Sequence, residues 1–149
     1  MTTREAQTSD LEAWVRLRHA LWPNSALEAL SDEARSILSS SHAVCFLVVH
    51  PSQGVVGFAE AALYRSPNGP YCHVEGWYVT PDFRGRGHGK ALIGCIEQWS
   101  LHRSIRLLTS DTDANYPLSP DAHARAGFTK IHELVIFAKE LQHPSQGGT

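Results

Sequence analysis

The feature that most constrains this chain is the run Arg84-Gly85-Arg86-Gly87-His88-Gly89-Lys90, which sits between a β-like segment and an amphipathic helical one. Glycines at alternate positions let the backbone bend sharply and come close to a ligand. The N–H groups that open a helix, together with its dipole, converge on an anion at such a junction. Arg84, Arg86 and Lys90 add positive charge, so a phosphate-bearing ligand is expected here. A flexible basic turn is the plain alternative. The spacing is not the GxxxxGK[ST] of a P-loop. The run also follows an antiparallel-looking β region instead of an early strand of a parallel sheet, which argues against a dinucleotide-binding fold.

The rest of the chain reads as one α+β unit over residues 1–141, with a polar, glycine-ended tail at 142–149. Leu11, Trp14, Val15, Leu17, Arg18 and Leu21 recur at helical spacing after Ser9-Asp10, and Pro23 closes that segment. A second helix carries Leu27, Leu30, Ala34, Ile37 and Leu38. The apolar run at 43–49, the turn residues 51–54 and the run at 55–59 predict a hairpin. Residues 65–70 read as a loop, 71–79 as a strand and 91–99 as a helix; 105–109 read as a short strand, 120–126 as helix and 134–138 as a last strand.

Composition removes several classes of function. Thirteen Lys plus Arg against fifteen Asp plus Glu give a formal charge of −2, unlike proteins that bind nucleic-acid backbones. No stretch approaches the apolar length of a membrane span, and the first residues lack a signal-peptide core, so a cytoplasmic protein is expected. Cys45, Cys72 and Cys95 are odd in number and lie in apolar runs, which predicts free buried thiols. The nine histidines form no ligand pair with metal spacing, and no metal is expected.

The stretch from Val79-Thr80-Pro81 through Arg84 and Gly89 to Ala91-Leu92 resembles the coenzyme A motif of the GNAT acyltransferases, and Gly127-Phe128 resembles that family's closing element. The resemblance implies a mixed, mostly antiparallel central sheet flanked by helices, with acetyl-CoA as cosubstrate in a gap between two splayed strands. It implies that the backbone of Trp77, Tyr78 and Val79 bonds the pantetheine arm and that amides from Gly85 through Gly87, His88 and Gly89 to Lys90 take the pyrophosphate. Asn115 and Tyr116 fall where the family contacts coenzyme A. His123, four residues before Gly127, stands where many members carry a tyrosine acid, but a satisfied helix histidine reads equally well; Tyr116 is a second possible acid.

Acetyl transfer to an amine requires a base, because an ammonium is no nucleophile. Glu75 sits within a strand, where a carboxylate has poor propensity; it is either that base or a solvated ion-pair residue. Asp111 follows a short apolar strand and is a candidate for the site or a simple turn cap. Glu133 is a candidate or a surface charge, and Trp22 a sugar-facing indole or a core residue. Leu21-Trp22-Pro23, Val74-Glu75-Gly76, Ser110-Asp111-Thr112 and the run from His132 to Phe137 resemble stretches of the short, dimeric aminoglycoside 6′-N-acetyltransferases. That branch implies a homodimer in which Trp22, Glu75, Asp111 and Glu133 hold a cationic aminoglycoside and direct its 6′-amine at the acetyl group. Tyr64 is the nearest match to a tyrosine that such enzymes bring across the dimer. Other amine acceptors, such as a polyamine or a protein amine, and a silent acyl-CoA-binding module are the competing functions.

Overall fold

The computed structural model describes residues 1–112 and 119–141. The run at 43–49 becomes β2 (Ala43–His50), and the expected hairpin forms with β3 (Gly54–Ser66). β4 (Gly69–Val79) follows β3 through a tight turn at Pro67-Asn68, with Gly69 at φ +116°. The loop expected at 65–70 is therefore shorter, because the two strands pair all the way to Ser66 and Gly69. β1 (Thr2–Glu5) and β5 (Leu108–Ser110) complete a five-stranded sheet in chain order. β1 to β4 pair antiparallel and only β4 and β5 are parallel, as the mixed, mostly antiparallel α+β expectation requires.

β2 buries both faces, and its alternation decides what lies on each. Val44 and Val48, with Phe46, pack toward α3 (His88–Leu101), whose Leu92, Ile93 and Ile96 are fully enclosed. Cys45 and Leu47 face α1 (Leu11–Leu21) and α2 (Leu27–Ser39), meeting Trp14, Leu17 and Ala34. A period of two on a sheet covered by helices on both sides leaves no polar face, hence the unbroken apolar run. α1 starts where expected: Asp10 accepts the Gln7 N–H at 2.8 Å and forks with Arg4 at 2.7 and 2.8 Å.

A buried ion pair ties the helices to the sheet. Arg18 on α1 and Glu60 on β3 are 4% and 1% exposed and share bonds of 2.7 and 3.0 Å. Trp14 Nε1 also donates to Glu60 at 2.7 Å, while Arg18 reaches the Leu30 carbonyl and Glu33 on α2. Burial opposes the charge on Arg18, but Glu60 and Glu33 outweigh it and hold the guanidinium more firmly protonated than usual.

β1 has no apolar alternation to betray it, being four polar residues on an edge. β5 lies three residues later than the strand expected at 105–109. α4 (Ser119–Arg125) forms as expected. The strand expected at 134–138 does not form: residues 129–141 carry neither helix nor strand. Ile131, Leu134, Val135, Ile136, Phe137 and Leu141 are 71–91% exposed. Strand propensity is realised only against a partner edge, and within this chain the segment pairs with none among the described residues. The tail at 142–149 lies outside the described residues.

Arg18→Met should cost about 3–5 kcal/mol in urea denaturation by stranding the Glu60 charge, whereas Arg18→Met with Glu60→Met should recover most of that loss. Equal destabilisation by the single and double variants would show that the pair does not act through its charges.

Candidate active site

The site begins where two strands part. β5 pairs only with Cys72, His73 and Val74, so from Glu75 to Val79 the edge of β4 has no strand beside it among the described residues. Its backbone is thereby open to an extended ligand, which can add to it as a further strand would. At its end the chain turns through a 3-10 turn at Pro81–Phe83 into α3. Gly85 and Gly87 adopt φ +77° and +87°, a region that side chains disfavour, and Gly87 caps the helix. A Cβ at either would meet nothing within 4 Å, so backbone conformation alone is what demands glycine there.

Trp77 Nε1 donates to the Gly89 carbonyl at 3.0 Å and clamps the first turn of α3 onto β4. Arg84 Nε donates to the Val79 carbonyl at 2.7 Å, its guanidinium 5.3 Å from the Tyr78 ring, and Arg86 lies equally far over Phe83. The residues expected to meet coenzyme A, Trp77, Tyr78, Val79 and those from Arg84 to Lys90, thus form one continuous strand-turn-helix junction. Its open strand edge and left-handed glycines suit an extended arm ending in phosphates. Asn115 and Tyr116 lie outside the described residues.

The other half of the site rests on a bulge. Glu60 pairs with Gly76 and Ala61 with Val74, which leaves Glu75 as the extra residue on β4. Before it, Cys72 and Val74 point toward α3; after it, Trp77 and Val79 do. Glu75 already points to the opposite face by alternation from Val74, and the extra residue turns Gly76 to that face as well, beside α1. Gly76 is needed there because Trp22 lies on it: a Cβ would come 2.6 Å from the indole. Trp22 is half-buried, edge-on to Phe58 at 6.2 Å and 4.9 Å from the Arg18 guanidinium, so it is partly core and partly wall. A pocket of about 310 Å³ opens there, lined by Trp22, Glu75, Arg18, Glu33, Glu60 and Ser25.

Glu75 is exposed and accepts the Tyr64 hydroxyl hydrogen. That bond pushes the phenol up to about 12. Tyr64 stacks on Tyr71 at 5.6 Å and meets His73 edge-on at 6.4 Å. His73 in turn contacts Thr109 Oγ1 at 2.7 Å and Asp111 at 3.5 Å. A single row along the sheet therefore joins Glu75 to Asp111, although Asp111 does not line the pocket. Glu133 does not line it either; it pairs with Lys130 at 3.3 Å on the exposed segment.

His123 lies on the α3 side, edge-on to Trp77 at 5.1 Å and Phe128 at 5.3 Å. Nδ1 is 2.7 Å from the Ser119 carbonyl, to which it donates, and Nε2 is 2.7 Å from Ser110 Oγ. Both nitrogens have partners, at the mouth between β4 and β5. Cys45 and Cys72 are free and buried, and burial pushes both thiols up, which leaves them poor nucleophiles; Cys95 is free and half-buried. Among the described residues no group of His, Cys, Asp or Glu could hold a metal, and no helix is long and apolar enough to cross a membrane.

Sequence reading missed Arg18, Glu33, Glu60, His73 and Ser110. Two left a signal: Glu60 interrupts an apolar run, and Tyr71, His73 and Glu75 alternate with Cys72 and Val74 as a polar row. Arg18 had been read merely as part of a helical face.

Residues 11–128 match the acetyltransferase (GNAT) family. Aminoglycoside N(6′)-acetyltransferase type 1 of Klebsiella aerogenes is 32% identical over 145 residues, covering 93% of this chain and 95% of that protein. The protein of the same name from Serratia marcescens is 35% identical over 137 residues, covering 89% and 94%. Among solved structures, aminoglycoside N-acetyltransferase AAC(6′)-Iy in complex with CoA has a TM-score of 0.83 at 28% identity, covering 94% of this chain and 95% of that one. The glycine cradle, the unpaired end of β4 and the match across most of the sequence agree: the chain belongs to the GNAT acetyltransferase family.

Proposed function

We propose that the protein is an acetyl-CoA-dependent aminoglycoside 6′-N-acetyltransferase that transfers the acetyl group directly, with no covalent enzyme intermediate. The observation that carries this reading is the pocket at the bulge, where Gly76 admits the Trp22 indole beside the Glu75 carboxylate, next to the open edge of β4. Support comes from relatives at about this identity that are named for that activity, and from a 28% identical structure, AAC(6′)-Iy, described in complex with a bisubstrate analogue, CoA-S-monomethyl-acetylneamine.

Acetyl-CoA bound along β4 supplies an activated thioester, and the backbone of Trp77, Tyr78 and Val79 with the amides from Gly85 to Lys90 would hold it. Glu75 takes the proton of the acceptor ammonium, directly or through a water, and so frees the nitrogen lone pair for attack. Trp22 offers an apolar face to the sugar ring, and Glu33 adds charge at the pocket wall. His123 in its imidazolium form can return a proton through Ser110 to the leaving sulfur. Asp111 attracts the cationic acceptor from the end of β5, and Asn115 and Tyr116 remain candidates for coenzyme A contacts.

We further propose a cytoplasmic homodimer. The apolar segment with Leu134, Val135, Ile136 and Phe137 exposed, and a sheet whose last strand β5 has an unpaired edge among the described residues, suit cover by a second copy, and Glu133 on that segment remains a candidate for the acceptor site. Sedimentation should give a dimer, and Ile136→Asp with Phe137→Asp a monomer; a wild-type monomer at micromolar concentration would exclude this assembly.

The defining assay mixes enzyme, acetyl-CoA and kanamycin and follows thiol release; transfer only to polyamines or protein amines, or binding without transfer, would refute the reading. Glu75→Gln should bind acetyl-CoA normally and lose about 10²–10⁴ in kcat, whereas near-normal turnover would remove Glu75 as base. Gly76→Ala should displace Trp22 and raise the acceptor KM about tenfold, a loss of roughly 1.4 kcal/mol, with the acetyl-CoA KM unchanged.

A further inference from the structure

His73 has no part in the chemistry above, yet it is held from both sides. Its register partner on β5 is Thr109, whose Oγ1 lies 2.7 Å from Nδ1. Nε2 lies 3.5 Å from Asp111 Oδ2. The ring is largely enclosed, its side chain 21% exposed, whereas that of Asp111 is 86% exposed and has no other partner to orient it among the contacts of the described residues. Thr109 Oγ1 also lies 3.4 Å from the Cys72 carbonyl, the longer of its two contacts; with its hydrogen given to Nδ1 instead, the ring proton would sit on Nε2, the nitrogen nearest the carboxylate. Tyr64 on β3 faces the ring edge-on, and through it Glu75.

We propose that His73 is a positioning residue for acceptor capture: backed by Thr109, it donates Nε2–H to Asp111 and aims that carboxylate at the cationic acceptor. The inference rests on the acceptor reading given above. A neutral ring donates without cancelling the negative charge of Asp111 that draws the acceptor. Among the described residues the groups recorded around the ring are Tyr64 from β3, Thr109 and Asp111 from β5 and its end, and Glu75 of its own strand by way of Tyr64.

Two substitutions separate positioning from packing. His73→Phe fills the space and removes the donor; it should raise the acceptor KM about threefold, the scale of one exposed polar pair, with a smaller change in kcat and none in the acetyl-CoA KM. His73→Gln keeps an amide donor and should restore the KM when measured beside wild type on the same acceptor. In Asp111→Asn, adding His73→Phe should raise KM no further. A wild-type KM in His73→Phe, or multiplicative effects in the double variant, would overturn the proposal.

A readout that needs no acceptor keeps the two readings apart. In the nitrogen-15 spectrum at pH 8 the His73 ring should be the Nε2–H tautomer, and its Nε2 signal should move in Asp111→Asn. An Nδ1–H tautomer or an unmoved signal refutes the His73–Asp111 contact even if aminoglycosides are acetylated. Failure to acetylate any aminoglycoside refutes the function, whatever the ring does.

Discussion

One extra residue in β4 organises this molecule. An antiparallel pair keeps each side chain on its own face, so without an insertion Val74, Gly76 and Tyr78 would all point into the α3 core. The bulge at Glu75 breaks that parity once. Before it the strand pairs with β5 and gives its apolar side chains to α3; after it the strand has one open edge and presents Glu75 and Gly76 to the face beside α1. The bulge against β3 and the end of pairing with β5 fall at neighbouring residues of one strand, so the proposed acceptor pocket and the proposed cofactor edge adjoin.

The buried network at Glu60 supports that arrangement from below. Glu60 is the residue paired with Gly76, and its carboxylate is consumed by Arg18 and Trp14. Arg18 in turn lies against Trp22 and holds Glu33 on α2. A buried ion pair contributes little net stability compared with apolar residues of the same volume, but once present it tolerates few arrangements of the elements that supply it. Here it locks α1, α2 and β3 around the pocket floor, so the wall that Trp22 forms is set by the interior of the protein and not by a surface loop.

Much of the fold was legible in the residues. The 3.6-residue spacing in α1 and α2, the two apolar runs with turn residues between them, and the glycine-rich junction before α3 each specify local geometry directly. The candidate carboxylates were visible as charges where a strand or its end disfavours them. What was not legible depended on partners distant in sequence. β1 carries no pattern of its own and forms because β2 offers an edge; the segment at 134–138 carries a strong strand pattern and forms no strand because no edge among the described residues receives it. His73 looked like an isolated histidine until β5 put Thr109 and Asp111 beside it.

By itself, the sequence determined the helices, the central hairpin, the glycine turn and the inventory of acids, because dihedral preference and hydrophobic period are properties of neighbouring residues. Only the tertiary structure decided which of those acids share a pocket, that Gly76 is glycine to admit an indole, and that the paired part of β4 stops at Val74. Those outcomes turn on strand register, which is settled by the competition of all the strands and helices for one core.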